Sequence, residues 1–273
     1  MKVTLLGTGS PIPDAHRAGP STLVQAGSLN LLFDCGRGVL MRLAAAGLFP
    51  GMLQYVVLTH LHSDHTTDFN DLVTTRWAMS PVEHPLPVVG PPGTAAYVDR
   101  VLAMLTDDIG YRRDHHADLN WDPGVLVEEA HDGLVFDQDG VRLLAAPSDH
   151  RPVAPTTAFR IEHDGGAVVI AGDTVPCAGL DTLCAGADVY VQTVIRTDLV
   201  QAIPSARLQD IHDYHSSVEQ AAQTATRAKV GTLVLTHPVP APAPGTEDDW
   251  IALAAAHFDG TVILAADLTV VET

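Results

Sequence analysis

His60, His62, Asp64 and His65 crowd into "LTHLHSDHTTD" (58–68), directly behind the apolar run "YVVL". A chance His-x-His-x-Asp-His is expected in only about three per thousand such chains. Imidazole nitrogens and a carboxylate in one short loop suit zinc, whereas magnesium and calcium favour all-oxygen shells. If further ligands arrive from elsewhere, the four groups cannot all share one ion. Two metals that split the motif between them are the natural solution.

Such a loop has to be positioned, and the apolar segments show how. Strands are expected at Lys2–Leu6, Thr22–Gln25, Asn30–Phe33, Tyr55–Leu58, Pro87–Val89, Val141–Ala145, Thr157–Ile161, Ala167–Ile170, Val189–Gln192, Thr232–Leu235 and Thr261–Leu264. Apolar faces at helical spacing predict helices over Gly38–Ala46, Asp68–Met79, Thr94–Asp107, Ser217–Ala228 and Glu247–His257. Interleaved in this way, they favour a layered α/β sandwich. With no long linker, residues 1–273 read as one continuous domain. Residues 108–133, polar and punctuated by Pro and Gly, read as a surface excursion or lid. Four strands end on a polar residue: "NLLFDCG" on Asp34, "YVVLTH" on His60, "AVVIAGD" on Asp173 and "TLVLTH" on His237. Strand C-termini are where α/β proteins commonly place ligand sites.

Composition narrows the function classes. Hydrophobic residues make up 46% of the 273 and charged ones 18%, yet no apolar run approaches the roughly 20 residues of a membrane span. "MKVTLLGTGSPIP" lacks a signal-type cleavage site, so cytoplasmic residence is expected, with no membrane partner. The formal net charge of -18 repels nucleic acid unless basic residues are locally concentrated, and the one basic cluster in the sequence is "YRRDHH". Cys35, Cys177 and Cys184 are too dispersed for a disulfide framework and read as reduced, buried thiols. "GTGSP" lacks the ending of a nucleotide phosphate loop, which leaves Gly7 and Gly9 as turn glycines.

Taken together, the motifs resemble those of the metallo-β-lactamase superfamily, in order: Asp34 in "FDCG"; His60, His62, Asp64 and His65; His150 in "PSDH"; Asp173 in "AGDT"; and His237 in "LTHPVP". Within that superfamily, "LGTGSPIPDAHRAGPST", "DCGRGVLMRLAAAGL" and "YHSSVEQAAQTA" are most similar to the ribonuclease Z and arylsulfatase branch. The resemblance covers nearly the whole chain and implies a four-layer αββα sandwich. It further implies a first metal on His60, His62 and His150, a second on Asp64, His65 and His237, and Asp173 bridging them. The metals would be two zinc ions, with manganese or iron as alternatives, and the nucleophile a bridging hydroxide that Asp64 orients. Asp34 would steady the His-rich loop without ligating. His215 stands just before "SSVEQAA", where Ser216 and Glu219 have capping-box spacing. In the ribonuclease Z branch the matching histidine protonates the leaving oxygen, so the resemblance gives His215 that role. Dimers are usual in this branch, which makes a homodimer the expected assembly.

Three departures shape the expected substrate. Only 22 residues separate His150 from the glycine-aspartate motif, which leaves no room for a long RNA-gripping arm. Thr193 stands where the ribonuclease pattern has a glutamate, and "PVPAPAPG" follows His237. With the acidic charge, these point to a small ester, a phosphodiester or sulfate ester first, and make nucleic acid an unlikely partner. Ribonuclease Z-type processing of transfer-RNA 3′ ends is the alternative, followed by lactone or thioester hydrolysis and a non-catalytic binding module. Trp77, Tyr111 and Trp121 are candidate pocket walls, and His16 in the first loop could face the site.

Overall fold

The computed structural model describes residues 1–273. In chain order the strands are β1 (Lys2–Gly7), β2 (Ser21–Ala26), β3 (Leu29–Phe33), β4 (Tyr55–Val57), β5 (Leu86–Gly90), β6 (Val125–Glu129), β7 (Gly133–Gln138), β8 (Val141–Pro147), β9 (Thr157–His163), β10 (Gly166–Ile170), β11 (Val189–Ile195), β12 (Thr232–Val239), β13 (Thr261–Leu264) and β14 (Thr269–Glu272). The helices are α1 (Val39–Ala45), α2 (Ser63–Thr66), α3 (Phe69–Met79), α4 (Thr94–Met104), α5 (Thr106–His115), α6 (Ala178–Cys184), α7 (Thr197–Gln201), α8 (Ala206–Gln209), α9 (Val218–Ala228) and α10 (Glu247–Ala255).

Two seven-stranded sheets form, in the orders β14-β1-β2-β3-β4-β5-β6 and β13-β12-β11-β10-β9-β8-β7. The side-chain period of two divides each strand between two cores. Leu29, Leu31 and Phe33 of β3 join Phe159 and Ile161 of β9 and Val189 and Val191 of β11 in a cluster between the sheets. Phe33 and Phe159 meet across it with ring centroids 6.1 Å apart. The alternate residue Leu32 faces outward with Val39, Leu43, Phe69, Leu72 and Val98, under α1, α3 and α4. Ala167, Val169, Tyr190 and Leu233 face the other way, under α6, α9 and α10, where Ala221, Ala222 and Ala225 let α9 approach the sheet closely. The layers are therefore αββα.

β3 to β6 run parallel, as do β10 to β13. Parallel neighbours end on the same edge, so Asp34, His60, Asp173 and His237 emerge together there. Asp34 and His237 both adopt positive φ, 58° and 51°. At His237 the register between β11 and β12 shifts, Thr193 pairing with Thr236 and Ile195 with Val239. That puts one extra residue on β12, a bulge that re-aims the histidine.

Residues 108–133 are not a lid. α5 continues to His115, and β6 within this span pairs in parallel with β5 from Leu86↔Val125 to Gly90↔Glu129. Its half-exposed "VLVEE" is an edge strand, and one short run with a charged end carries too little alternation to stand out in the sequence. Trp77 is buried and donates its indole N–H to the Trp121 carbonyl (2.9 Å), in a crevice with Arg76 and His84 that none of the clustered acids and histidines lines. Tyr111 is exposed on α5. These aromatics are not walls of the site. Of the cysteines, Cys35 and Cys184 are buried and Cys177 is half-buried, all as free thiols. No helix is long and apolar enough to cross a membrane.

Candidate metal centre

Two donor groups form at the shared strand edge: His60, His62, His150 and Asp173 in one, and Asp64, His65 and His237 in the other, with the donor atoms of each within 4.8 Å of one another. All but His62 are buried. His60 and His62 come from the loop between β4 and α2, and Asp64 and His65 from α2, whose single turn buries both. His150 comes from the β8–β9 loop, Asp173 from just past β10, and His237 from the β12 bulge.

The outer nitrogens of three imidazoles are fixed by acceptors. His60 Nδ1 donates to Thr59 Oγ1 (3.0 Å), His65 Nδ1 to Asp34 Oδ2 (2.7 Å) and His150 Nδ1 to the Tyr214 carbonyl (2.8 Å). Each bond sets the tautomer and leaves Nε2, with its lone pair, facing inward. His60 Nε2 and His150 Nε2 lie 3.1 and 3.2 Å from His62 Nδ1. Three ring nitrogens that close together repel unless a cation or a proton sits among them. His65 Nε2 and Asp173 Oδ1 are buried with no hydrogen-bond partner. Asp173 turns Oδ1 toward His65 (3.4 Å) and Oδ2 toward His150 (3.8 Å) and His60 (3.9 Å), so its carboxylate faces both groups. Soft-to-borderline nitrogen donors with two inward carboxylates fit divalent transition metals.

Electrostatics divides the histidines. Burial, aided by the neighbouring imidazoles, holds His60 well below the ordinary histidine range and lowers His62 and His150 in the same way. Burial opposes the proton on His65 too, yet Asp173 and Asp34 overcome it and hold that ring well above its usual value. Asp173 and Asp64 likewise raise His237 against its burial. The carboxyl of Asp173, whose burial alone would raise it, is pulled well below the carboxylate range by His237 and His65. The carboxylates they face thus bias His65 and His237 toward the protonated form, against the effect of burial.

Asp34 sits behind this arrangement. Its Oδ1 accepts the Thr59 N–H (2.8 Å), and its Oδ2 accepts the Thr59 hydroxyl (2.8 Å) as well as His65 Nδ1–H. The left-handed backbone that aims it is one Asp tolerates better than most residues. Gly172, at φ 65°, lets the strand before Asp173 pass Thr59 closely; a Cβ there would lie 2.7 Å from the Thr59 Cβ.

His215 is buried, with Nε2 3.2 Å from Asp173 Oδ2 and Nδ1 3.3 Å from the Ile211 carbonyl, to which it donates. Thr193 does not reach it, because its hydroxyl donates to the Gly172 carbonyl (3.0 Å). The helix cap is one residue later than the spacing suggests: Ser217 and Gln220 form the capping box, while the Ser216 hydroxyl donates to the Thr174 carbonyl. Ser216 is tied by its own N–H to the same carbonyl, so the neighbouring serine is left to start the helix. Residues 196–214 pack a small core of Val200 and Ile211 on Ile195 and Val239, and so bring the Tyr214 and Ile211 carbonyls to the two histidines. Sequence reasoning missed both carbonyls, since backbone acceptors leave no mark in residue type. Thr59 stood in plain view beside His60. His16 is exposed on the first loop and touches no member of either group.

Residues 29–238 match the family model described as "Beta-lactamase superfamily domain". The chain belongs to the metallo-β-lactamase superfamily. Curated relatives place it in a branch of that superfamily: it is 61% identical over 98% of its length to "Ribonuclease Z" of Mycobacterium avium, covering 96% of that protein. It is 58% identical over the same share to "Ribonuclease Z" of Mycolicibacterium gilvum, covering 94% of that protein. Among solved structures, the metallo-β-lactamase fold protein YhfI from Bacillus subtilis superposes with a TM-score of 0.77 at 24% identity, with 100% of this chain and 99% of that one covered. The short form of human tRNase Z superposes at 0.72 and 24% identity, with the same coverage. At such identities these two superpositions speak for the metallo-β-lactamase fold.

The relatives overturn one expectation. A small phosphodiester or sulfate ester as substrate, with nucleic acid an unlikely partner, does not stand against near-full-length relatives named as ribonucleases. The arylsulfatase likeness falls with it. The inference failed because net charge averages over the whole surface, whereas RNA meets one face of it.

Proposed function

We propose that this metallo-β-lactamase superfamily member is a metal-dependent endoribonuclease of the ribonuclease Z type that removes the 3′ extension of transfer-RNA precursors. The observation that carries the reading is its 61% identity, across nearly the whole of both chains, to a curated ribonuclease Z. The donor geometry is consistent with phosphodiester hydrolysis. His60, His62 and His150 would hold one zinc ion and Asp64, His65 and His237 the other, with Asp173, whose carboxylate faces both groups, available to both. When bound, such a pair supplies Lewis acidity toward a phosphoryl oxygen and a water acidic enough to attack at neutral pH.

The chain's own groups do the rest. Asp64, whose Oδ2 lies 3.2 Å from His237 Nε2, accepts a hydrogen of the attacking water and aims its lone pair at phosphorus. The Ile211 carbonyl fixes the His215 ring through Nδ1, so Nε2 is the atom that hands a proton to the departing ribose oxygen. Asp173 Oδ2, 3.2 Å from His215 Nε2, keeps that nitrogen turned toward the donor groups where the substrate would sit. Asp34 and Thr59 keep His65 and His60 in register without touching the substrate.

The test is cleavage of a 3′-extended transfer-RNA precursor by zinc-loaded protein, with chelated protein and Asp173→Ala as controls. Endonucleolytic release of the trailer by the loaded wild type alone is expected. Intact precursor after incubation with protein shown to hold two metals per chain would sink the proposal.

A further inference from the structure

Charge poses a problem for an RNA-cutting enzyme of formal net charge -18. Most basic side chains here are already neutralised. Arg112 and Arg113 of "YRRDHH" pair with Asp108 and Asp122, and Arg142, Arg151, Arg160, Arg196 and Arg227 pair with nearby carboxylates. Arg76 is buried, its five N–H groups taken by the carbonyls of Pro50, Leu53, His84 and Pro85 and by His84 Nε2. The bases with no carboxylate within ion-pair distance are Lys2, Arg17, Arg37, Arg100, Arg207 and Lys229.

Arg17 and Arg37, far apart in sequence, line one surface pocket of about 270 Å³ together with Arg42. Arg17 uses NH1 on the Thr8 hydroxyl and the Ala265 carbonyl, leaving Nε and NH2 unengaged. Arg37 is exposed, with one long contact of 3.4 Å from NH2 to the Ser10 carbonyl. Arg42 gives Nε to Asp267, but that carboxylate also accepts the Thr8 N–H and hydroxyl and the Ala18 N–H, so its charge is shared among four donors. Asp14 lines the pocket as well, with Oδ1 on the His16 N–H, and Met41 offers an exposed apolar wall. Asp68, behind Arg37, accepts the Gly38 N–H.

The pocket is anchored to the metal centre. Cys35 N–H donates to the His65 carbonyl (2.7 Å), Gly36 N–H to the Pro20 carbonyl (3.1 Å) and Gly19 N–H to the Arg37 carbonyl (2.7 Å). A Cβ on Gly36 would lie 2.6 Å from the Asp64 carbonyl, which shows how closely this segment abuts the His-rich loop. Two residues on, Arg37 lies within roughly 8 Å along the chain of the residue that holds His65. Guanidinium forks with free N–H groups are suited to phosphate oxygens. The cavity of about 830 Å³ beside His150 offers by contrast one arginine, Arg151, already engaged through two nitrogens on Asp149.

We infer that Arg17, Arg37 and Arg42 form a phosphate-binding subsite that seats the backbone of the RNA substrate beside the metal centre. The inference rests on the endoribonuclease reading and adds to it the residues that overcome the acidic surface. The anionic groups it takes are backbone phosphodiesters, so recognition there is independent of base sequence.

The experiment is single-turnover cleavage of a 3′-extended transfer-RNA precursor by zinc-loaded enzyme in excess, with the half-saturating concentration measured between 50 and 200 mM salt. Arg37→Gln is expected to weaken half-saturation about three- to tenfold and make its logarithmic salt slope shallower by about one contact. Arg37→Lys, which keeps the charge, is expected to recover the slope. Arg100→Gln, which removes an unpaired charge outside the pocket, reports the effect of net charge alone. If Arg37→Gln and Arg100→Gln shift half-saturation and slope equally, the subsite is wrong while the endoribonuclease reading stands. If the wild type with two metals bound leaves the precursor intact, that reading falls and takes the subsite with it.

Discussion

Asp34→Asn separates support of the metal centre from direct ligation. The substitution preserves shape and suits φ 58°, since Asn tolerates the left-handed region as well as Asp does. The amide oxygen, placed at Oδ1, still accepts the buried Thr59 N–H now made at 2.8 Å. The amide nitrogen then occupies the Oδ2 position, 2.7 Å from His65 Nδ1, and two donors face each other. To escape, His65 must shift its hydrogen to Nε2, the nitrogen that would otherwise offer its lone pair to a metal. Loss of such outer support typically weakens metal binding 10–100-fold, about 1.4–2.8 kcal/mol. The metal-free protein also loses a charge-assisted hydrogen bond, about 1.5–3 kcal/mol, which at this chain length lowers the thermal midpoint by a few degrees per kcal/mol. Competition against a chromophoric chelator gives the two zinc affinities, and thermal denaturation of metal-free protein gives the stability. One site should weaken and the other change little. Two zinc affinities equal to wild type in a folded Asp34→Asn protein would refute the argument that this carboxylate sets the His65 tautomer.

Zinc uptake should release protons, because His65 and His237 are held above the ordinary histidine value in the metal-free protein and must lose those protons to ligate. Affinity therefore falls on acidification, and calorimetry in buffers of different ionisation enthalpy should count released protons; none released at neutral pH would contradict the charge assignment. The same raised values mean that the two rings' contribution to metal-free stability is complete below about pH 6.5 and is lost as pH rises through their folded values. A thermal midpoint of metal-free protein that rose over that range would speak against it. His215→Ala should lower precursor cleavage about 10²–10⁴-fold, with a much smaller loss on a nitrophenyl phosphodiester whose leaving oxygen needs no proton; equal losses on both would remove the proton-donor role. Arg76→Lys should cost at least about 3 kcal/mol in chemical denaturation, because three ammonium hydrogens cannot satisfy five buried partners. An unchanged denaturation midpoint would show that those contacts contribute little.

Much of the molecule was legible in the sequence. Each apolar run that leads to Asp34, His60, Asp173 or His237 became a strand, with His237 inside β12, Asp34 directly after β3, and His60 and Asp173 three residues past β4 and β10, because burial on both faces demands continuous apolar residues and parallel pairing sends their ends to one edge. What failed was local and weakly patterned. β6, β7 and β14 lie at or near sheet edges, where alternation is weak, and α6 to α8 are too short for a helical period to show.

Residue type and order, then, determined the layers of the sandwich and the list of groups able to bind metal. Tertiary structure decided how those groups are used. The left-handed turn at Asp34 and the bulge at His237 arise from register and packing, which no single residue encodes. Tyr214 and Ile211 act through carbonyls that every residue possesses. Charge shows the difference most clearly. In sequence "YRRDHH" is the basic cluster, yet in space its arginines are neutralised by Asp108 and Asp122, while Arg17, Arg37 and Arg42 converge in one pocket. Electrostatic attraction falls with distance through space rather than along the chain, so only the folded protein determines which charges remain available to a partner.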